Sequence, residues 1–174
     1  MTARLIFATL IALAAIGAHA RSPDTDAWAA ITAFAAHCFD PRLTSDRADR
    51  VFGLANNSFD FFDLDPFSAV APSPPTERAP TPGTDRRCEV SFHGDYSQDA
   101  VTAVTDQLRR ERLTRTAPVP TSHETLRTDG TALLAARRLN PRKIAVVHIG
   151  TRRGPAGGIE TFMNVERLVA PEQR

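Results

Sequence analysis

Cys38 and Cys88 are the two cysteines of this 174-residue sequence, and about 50 positions separate them. In an exported chain, which the pattern of the first twenty residues predicts, an even number of cysteines usually forms disulfides. Closing a loop of this length is worth roughly 4 kcal/mol in the chain-entropy model, a large share of the stability of one domain. We therefore predict a disulfide between them. The alternative is a catalytic thiol beside His37, which is disfavoured because adjacent helical side chains point about 100° apart.

The first twenty residues carry the pattern of an export signal. Arg4 gives a basic start, Leu5 to Ile16 is an apolar stretch with one Thr, and Ala18-His19-Ala20 ends on a small-x-small cleavage pattern. A membrane-spanning helix needs about 20 apolar residues, so this stretch is too short for an anchor. We predict a cleaved secretory signal peptide over 1–20 and a mature chain, residues 21–174, in the periplasm or outside the cell, with no membrane span.

The composition predicts one globular domain. Hydrophobic residues make up 42% and charged residues 24% of the sequence, which excludes collagen-like and wholly disordered chains. A mature chain of this length buries enough surface to fold without a cofactor, and none is predicted. Lys143 is the one lysine among 21 basic residues. That preference for arginine is typical of a GC-rich bacterial genome and does not indicate a binding preference.

Charge is distributed unevenly along the mature chain. Residues 21–100 hold 7 Arg and 13 acidic residues, whereas residues 101–174 hold 13 basic and 7 acidic residues. We predict that the two halves face each other in one fold. The basic residues of the second half flank turns at opposite ends of a predicted sheet and lack interleaved aromatic residues, so nucleic-acid binding is not expected.

Apolar spacing predicts three helices, over 24–37, 45–55 and 98–113. In the first, Trp28, Ile31, Phe34 and Cys38 form the expected buried stripe. Ser97 is the expected cap of the third helix. Residues 66–87 contain six prolines and predict a long loop inside the domain, tethered by the disulfide. A second loop is predicted over 116–130, which contains two prolines and an Asp-Gly pair.

Alternating or continuous apolar runs predict strands over 87–92, 144–149 and 159–168. Residues 131–139 have helical propensity, but the short turns on either side of 144–149 favour an antiparallel meander and hence a strand. The predicted fold is α+β: two N-terminal helices, a Pro-rich loop, then β-α-β-β-β with a four-stranded, mostly antiparallel sheet.

Four phenylalanines and three aspartates alternate irregularly between positions 59 and 67. The expected structure is an irregular segment whose rings pack on the core. The alternative is an aromatic docking surface for a protein partner, with an envelope protein as the candidate. Its residues would be Phe59, Phe61, Phe62 and Phe67. A calcium loop is not expected because the glycine and glutamate of an EF-hand are missing.

The sequence offers no nucleophile elbow, P-loop or metalloprotease motif. If the strands that carry His93 and His148 were neighbours, those rings could meet near Glu89 or Asp95 for acid–base chemistry. No catalytic residue or metal ligand is assigned. We predict a non-catalytic exported binding or accessory module. The alternative is a small secreted hydrolase or metal-dependent enzyme that uses His93 and His148.

Overall fold

The computed structural model describes residues 23–53, 57–67, 69–75 and 78–170. The predicted signal peptide lies outside these ranges. The described residues form an α+β fold with one six-stranded antiparallel sheet. The helices are α1 Pro23–His37, α2 Ser45–Phe52, α3 Ser97–Arg110 and α4 Thr121–Glu124. The strands are β1 Ser58–Asp63, β2 Thr84–His93, β3 Thr116–Ala117, β4 Thr131–Arg138, β5 Lys143–Arg153 and β6 Ile159–Val169.

The strands lie in the order β1-β2-β6-β5-β4-β3, and every neighbouring pair is antiparallel. The meander β4-β5-β6 follows the prediction, and residues 131–138 are a strand. In register, β6 lies between β2 and β5: its Asn164 pairs with Glu89 on one side and His148 on the other. Because side chains alternate between faces, these three residues project from the same side of the sheet.

The opposite side of the sheet carries the main hydrophobic core. There α1 and α3 pack on alternate residues of the central strands, including Val90, Val147 and Met163, while α2 packs on the edge strand β1. From α1, Ile31 and Phe34 are fully buried. Trp28, predicted to belong to this stripe, is 49% exposed. Ala27 and Ala30 are buried in the core instead, because small side chains let the helix lie close to the sheet.

The predicted disulfide is present. Cys38 follows the last turn of α1, its N–H donating to the Phe34 carbonyl, and Cys88 lies in the middle of β2. Their Cα atoms are 5.6 Å apart, and both cysteines are buried. The bridge therefore fastens the first helix to a central strand. Such a bond is consistent with an oxidising location.

The predicted four-stranded sheet is too small by two strands. The additional strands are β1, which covers part of the Phe/Asp segment expected to be irregular, and β3, which lies in an expected loop. In β1, Phe61 faces the helices while Phe62 is buried on the other side, beneath Arg87. With apolar residues on both faces, the segment loses the alternation by which a strand is recognised.

Two local features also differ from expectation. Tyr96, not Ser97, is the N-cap residue of α3, and its side chain makes no capping hydrogen bond. The Asp95 carboxylate accepts hydrogen bonds from the Ser97 N–H at 3.1 Å and hydroxyl at 2.8 Å. Those bonds lower the pKa of Asp95. The short helix α4 lies in the segment expected to be loop, and it places His123 in the interior. Among the described residues, no helix is long and apolar enough to cross a membrane.

Candidate ligand-binding cleft

A cleft of about 450 Å³ opens on the side of the sheet away from the main helices. Its floor is formed by β2, β5 and β6, and its walls are residues 78–82 of the Pro-rich loop and residues 122–128 around α4. This volume lies in the range of about 300–1,000 Å³ that is usual for small-molecule sites. Towards the other end of the same sheet face, Ile144, Val146 and Leu168 form a small apolar cluster. The cleft floor, in contrast, carries several buried polar and charged side chains.

Glu166 on β6 is the centre of that floor. Its carboxylate accepts hydrogen bonds from Arg87 Nε at 2.6 Å, Thr84 Oγ1 at 2.9 Å and Thr81 Oγ1 at 3.2 Å. The fourth partner is His123 Nε2, 2.7 Å from Oε2. Burial opposes ionisation of this carboxyl, but the bonds from His123 and Arg87 outweigh it and lower the pKa of Glu166 to about 2. Glu166 is therefore ionised at neutral pH, and its partners hold it in one position.

A second buried carboxylate, Glu89 on β2, is shared by two arginines from opposite walls. Arg78 approaches it from the Pro-rich loop, with Nη1 at 3.2 Å from Oε1. Arg152 approaches from β5 at 2.9 Å, and its Nε also donates to Glu160 at 2.6 Å. The guanidinium of Arg152 lies 5.2 Å from the centroid of the Phe162 ring.

The charges in the cleft compensate one another. Each of Arg78, Arg87 and Arg152 contacts at least one carboxylate, and Arg87 also lies 3.2 Å from Asp60. Each carboxylate has at least one cationic partner in return. Among the described residues of the cleft, each guanidinium and each carboxylate therefore has an oppositely charged partner.

Two uncharged side chains lie between these ion pairs. His148 is buried beside Phe162, with ring centroids 4.8 Å apart, and its Nε2 is 3.0 Å from Thr131 Oγ1. Burial lowers the pKa of His148, so the ring is neutral at neutral pH. Next to it, Asn164 is 7% exposed, and its Oδ1 is buried without a hydrogen-bond partner among the described residues.

At the wall of the cleft, Ser122, His123 and Glu166 form a hydrogen-bonded chain. Because the ionised Glu166 can only accept, His123 Nε2 must carry the proton of their bond. In a neutral ring, Nδ1 is then free to accept from the Ser122 hydroxyl, 3.0 Å away. Ser122 itself lines the cleft. A hydroxyl, an imidazole and a carboxylate in this order are the elements of nucleophile activation.

The structure does not bring His93 and His148 together. β6 separates their strands, and the two residues pair with Glu160 and Asn164 of β6, four positions apart. Strand geometry then places their Cα atoms roughly 16 Å apart. His93 is exposed beside Gly158, whereas His148 lies in the cleft. Within the described residues, no group of three or more potential ligands could hold a metal ion.

The four predicted docking residues occupy different environments. Phe62 is fully buried, Phe59 and Phe61 are half-buried against the core, and Phe67 is 74% exposed. Of these rings, that of Phe67 alone presents most of its surface to solvent. The docking surface stays a prediction, and Phe67 is the residue through which it can be tested.

Comparison with known proteins gives no match: no family model, curated protein or solved structure is similar to this chain. The fold and the cleft therefore define only a class of protein. It is a small α+β domain with a cleft on one sheet face whose floor carries buried polar side chains. The function of the chain has to be inferred from the chemistry of that cleft.

Proposed function

We propose that this chain is an exported binding module that takes a small molecule in the cleft. Export is supported by the signal-like pattern of residues 1–20 and by the Cys38–Cys88 disulfide. Binding is supported by a concave site whose polar groups are already held in place. A site fixed before the ligand arrives loses little conformational entropy on binding.

The buried ion network of the floor is the observation that carries this proposal. Replacing a buried ion pair by apolar residues of similar volume is often neutral or stabilising, so such pairs are poor devices for stability alone. Towards the other end of the same sheet face, the buried residues are apolar: Ile144, Val146 and Leu168. Where the cleft opens, the sheet face instead carries three charged residues, although all of them are buried: Arg87, Glu89 and Glu166. Recognition of a polar ligand accounts for that difference.

The test is a two-dimensional amide NMR screen of the oxidised, exported chain against a library of small charged and uncharged molecules. We expect compounds that shift the amides of β2, β5 and β6 around the cleft. Thr125→Trp, at the cleft wall, should abolish those shifts by filling the space. A library in which no compound perturbs the cleft would contradict the proposal.

Thr102→Trp is the matched control. Like Thr125, Thr102 is exposed and donates its hydroxyl to a backbone carbonyl of its own helical segment, but it lies on α3, away from the cleft. Binding should survive this change. Loss of binding in both variants would show that a bulky surface residue disturbs the fold instead of blocking the site.

A second candidate function is hydrolysis of an ester, and the Ser122–His123–Glu166 chain favours it. Ser122 Oγ would attack the ester carbonyl while its proton passes to His123 Nδ1 and then to the departing alcohol. Water would then hydrolyse the acyl-serine by the reverse use of the same imidazole. This version of the hydrolase uses residues other than His93 and His148.

A fluorophosphonate probe distinguishes the two functions. An enzyme should be labelled at Ser122, as read by mass spectrometry, and Ser122→Ala should abolish labelling and turnover of p-nitrophenyl acetate. Ser58→Ala, an exposed serine on β1, is the control that should change neither. An unlabelled Ser122 together with no esterase activity would reject hydrolysis and leave the binding module.

A further inference from the structure

We infer that the ligand of the cleft is an uncharged molecule with N–H and O–H groups, and that the side-chain amide of Asn164 recognises it. This inference rests on the proposed binding function and adds to it the chemical class of the ligand and a specificity-determining residue. Two independent observations carry it: the compensation of charge in the cleft and the unsatisfied amide at its centre.

The compensated charges disfavour ions. An anion that drew a guanidinium away from Glu89 or Glu166 would break an ion pair, and so would a cation that drew one of those carboxylates away from its arginine. Either exchange leaves a buried charge without its partner, which is strongly unfavourable. The carboxylates involved have side chains only 8% and 2% exposed. An uncharged ligand avoids the exchange, since it can bind the edges of ion pairs that stay intact.

Asn164 provides the group that lacks a partner. It lies at the centre of the floor, between Glu89 and His148 in register. Its Oδ1 is buried and accepts no hydrogen bond from the described residues, although buried polar atoms in folded proteins nearly always have one. Asn164 lines the cleft, and a ligand N–H or O–H that reaches this oxygen from there would satisfy it.

The neighbour of Asn164 is suited to the same ligand. His148 is neutral, because burial disfavours its charged form. A neutral ring adds no positive charge to the floor, and it offers hydrogen bonding without attracting an anion. Asn164 and His148 together form an uncharged strip between the Glu166 and Glu89 ion networks.

Three related sugars provide the test at about pH 6, where a free amine is protonated and a carboxylate is ionised. N-acetylglucosamine is uncharged and carries an amide N–H, glucosamine is a cation, and glucuronate is an anion. We expect N-acetylglucosamine to shift the cleft amides in NMR titrations with a Kd at least about tenfold lower than either charged sugar. A charged sugar that binds in the cleft as tightly, or no shift with N-acetylglucosamine, would overturn the inference.

Asn164→Leu tests the residue. It keeps the approximate volume, removes the amide, and should weaken N-acetylglucosamine binding about tenfold, the effect of one lost hydrogen bond of about 1.4 kcal/mol. Asn57→Leu is the matched control, because the Asn57 amide also finds no partner among the described residues but lies outside the cleft. Binding should not change in that variant. Equal binding by wild type and Asn164→Leu would overturn the role of Asn164.

Failure of this inference can be separated from failure of the binding function. If library compounds reach the cleft but charged molecules bind as well as uncharged ones, the binding module stands and the ligand class is wrong. If nothing perturbs the cleft, both are wrong. A well-dispersed amide spectrum of each variant shows that the loss is local and not due to unfolding.

Discussion

Glu166 shows how one residue couples the cleft to the stability of the fold. Four side chains from three segments donate to its carboxylate, and together they lower its pKa from 4.5 to about 2. A carboxyl whose pKa is lower in the folded state stabilises that state above its unfolded pKa. That contribution is lost as the pH falls from about 4.5 towards 2, and it amounts to about 3 kcal/mol.

We therefore predict a steep acid limb in the free energy of unfolding, measured by urea denaturation between about pH 5 and pH 2. Glu166→Gln cannot ionise and should flatten that limb, while being less stable than wild type at neutral pH because Arg87 loses its buried partner. Glu124→Gln is the control, since its pair with Arg127 is exposed and should contribute little. Parallel acid limbs in wild type and Glu166→Gln would contradict the assignment.

Replacing Asn164 should stabilise the fold, whereas replacing Glu166 should destabilise it. An unsatisfied buried amide oxygen costs about 1–3 kcal/mol, so Asn164→Leu should raise the free energy of unfolding of the ligand-free protein by about 1 kcal/mol. Asn140→Leu should lower it, because Asn140 Oδ1 accepts from the backbone N–H groups of Arg142 at 2.8 Å and Lys143 at 2.9 Å. Urea denaturation at neutral pH measures both. A stability loss in Asn164→Leu would show that its amide has a structural role.

At the scale of elements, β1 separates residues that the sequence groups together. Phe62 is fully buried under Arg87, whereas Phe67, just beyond the strand, is mostly exposed. Phe62→Ala should cost about 3–5 kcal/mol of unfolding free energy, as expected for a buried ring. Phe67→Ala should change it by less than about 0.5 kcal/mol, as for other exposed positions.

The exposed residue of this segment, Phe67, also tests whether the segment docks a partner. A pull-down from an envelope extract that is lost in Phe67→Ala, with stability unchanged, would support docking. Phe62→Ala is unsuitable for that purpose because it perturbs the core. A Phe67→Ala variant that retains every captured protein would reject the surface.

The sequence predicts the elements whose apolar spacing is regular. β5 and β6 have short turns and apolar runs, and α1 begins at Pro23 with acidic residues in its first turn, so their positions follow from local signals. The ends of α1 agree within a residue, but its Trp28 does not face the core. Periodicity selects a broad face, while the size of each side chain decides which part of that face approaches the sheet.

The cleft could not be predicted in the same way. Arg87 and Glu166 are 79 residues apart, and in isolation each is a charged residue in a strand, a pattern typical of a solvent-facing position. The available signal is weak: Glu89 and Glu166 interrupt apolar strands at positions that only tertiary pairing explains. The histidine that joins the network, His123, lies on a one-turn helix with no sequence periodicity of its own.

At the scale of the whole molecule, the acidic first half and the basic second half meet across the sheet. Arg152 pairs with Glu89, and Arg167 lies 2.6 Å from Asp85 and 2.8 Å from Asp63. The opposite net charges of the two halves therefore produce local ion pairs.

The disulfide acts at this scale too, because it joins α1 to the strand that carries Arg87 and Glu89. Closing a 50-residue loop restricts the unfolded chain and is worth about 4 kcal/mol. The double variant Cys38→Ala/Cys88→Ala should lose about that much unfolding free energy in urea. Dithiothreitol should destabilise the wild type similarly, while leaving the double variant unaffected.

Ligand binding in the cleft shows whether the disulfide also affects the native state. If the bridge acts through the unfolded state, the variant that remains folded without denaturant should bind N-acetylglucosamine with the wild-type Kd, because the native floor is unchanged. A weaker Kd would mean that the bridge positions β2 in the native state as well. A loss of unfolding free energy below about 1 kcal/mol would contradict the chain-entropy account, since it would require an unfolded chain already compact enough to keep Cys38 near Cys88.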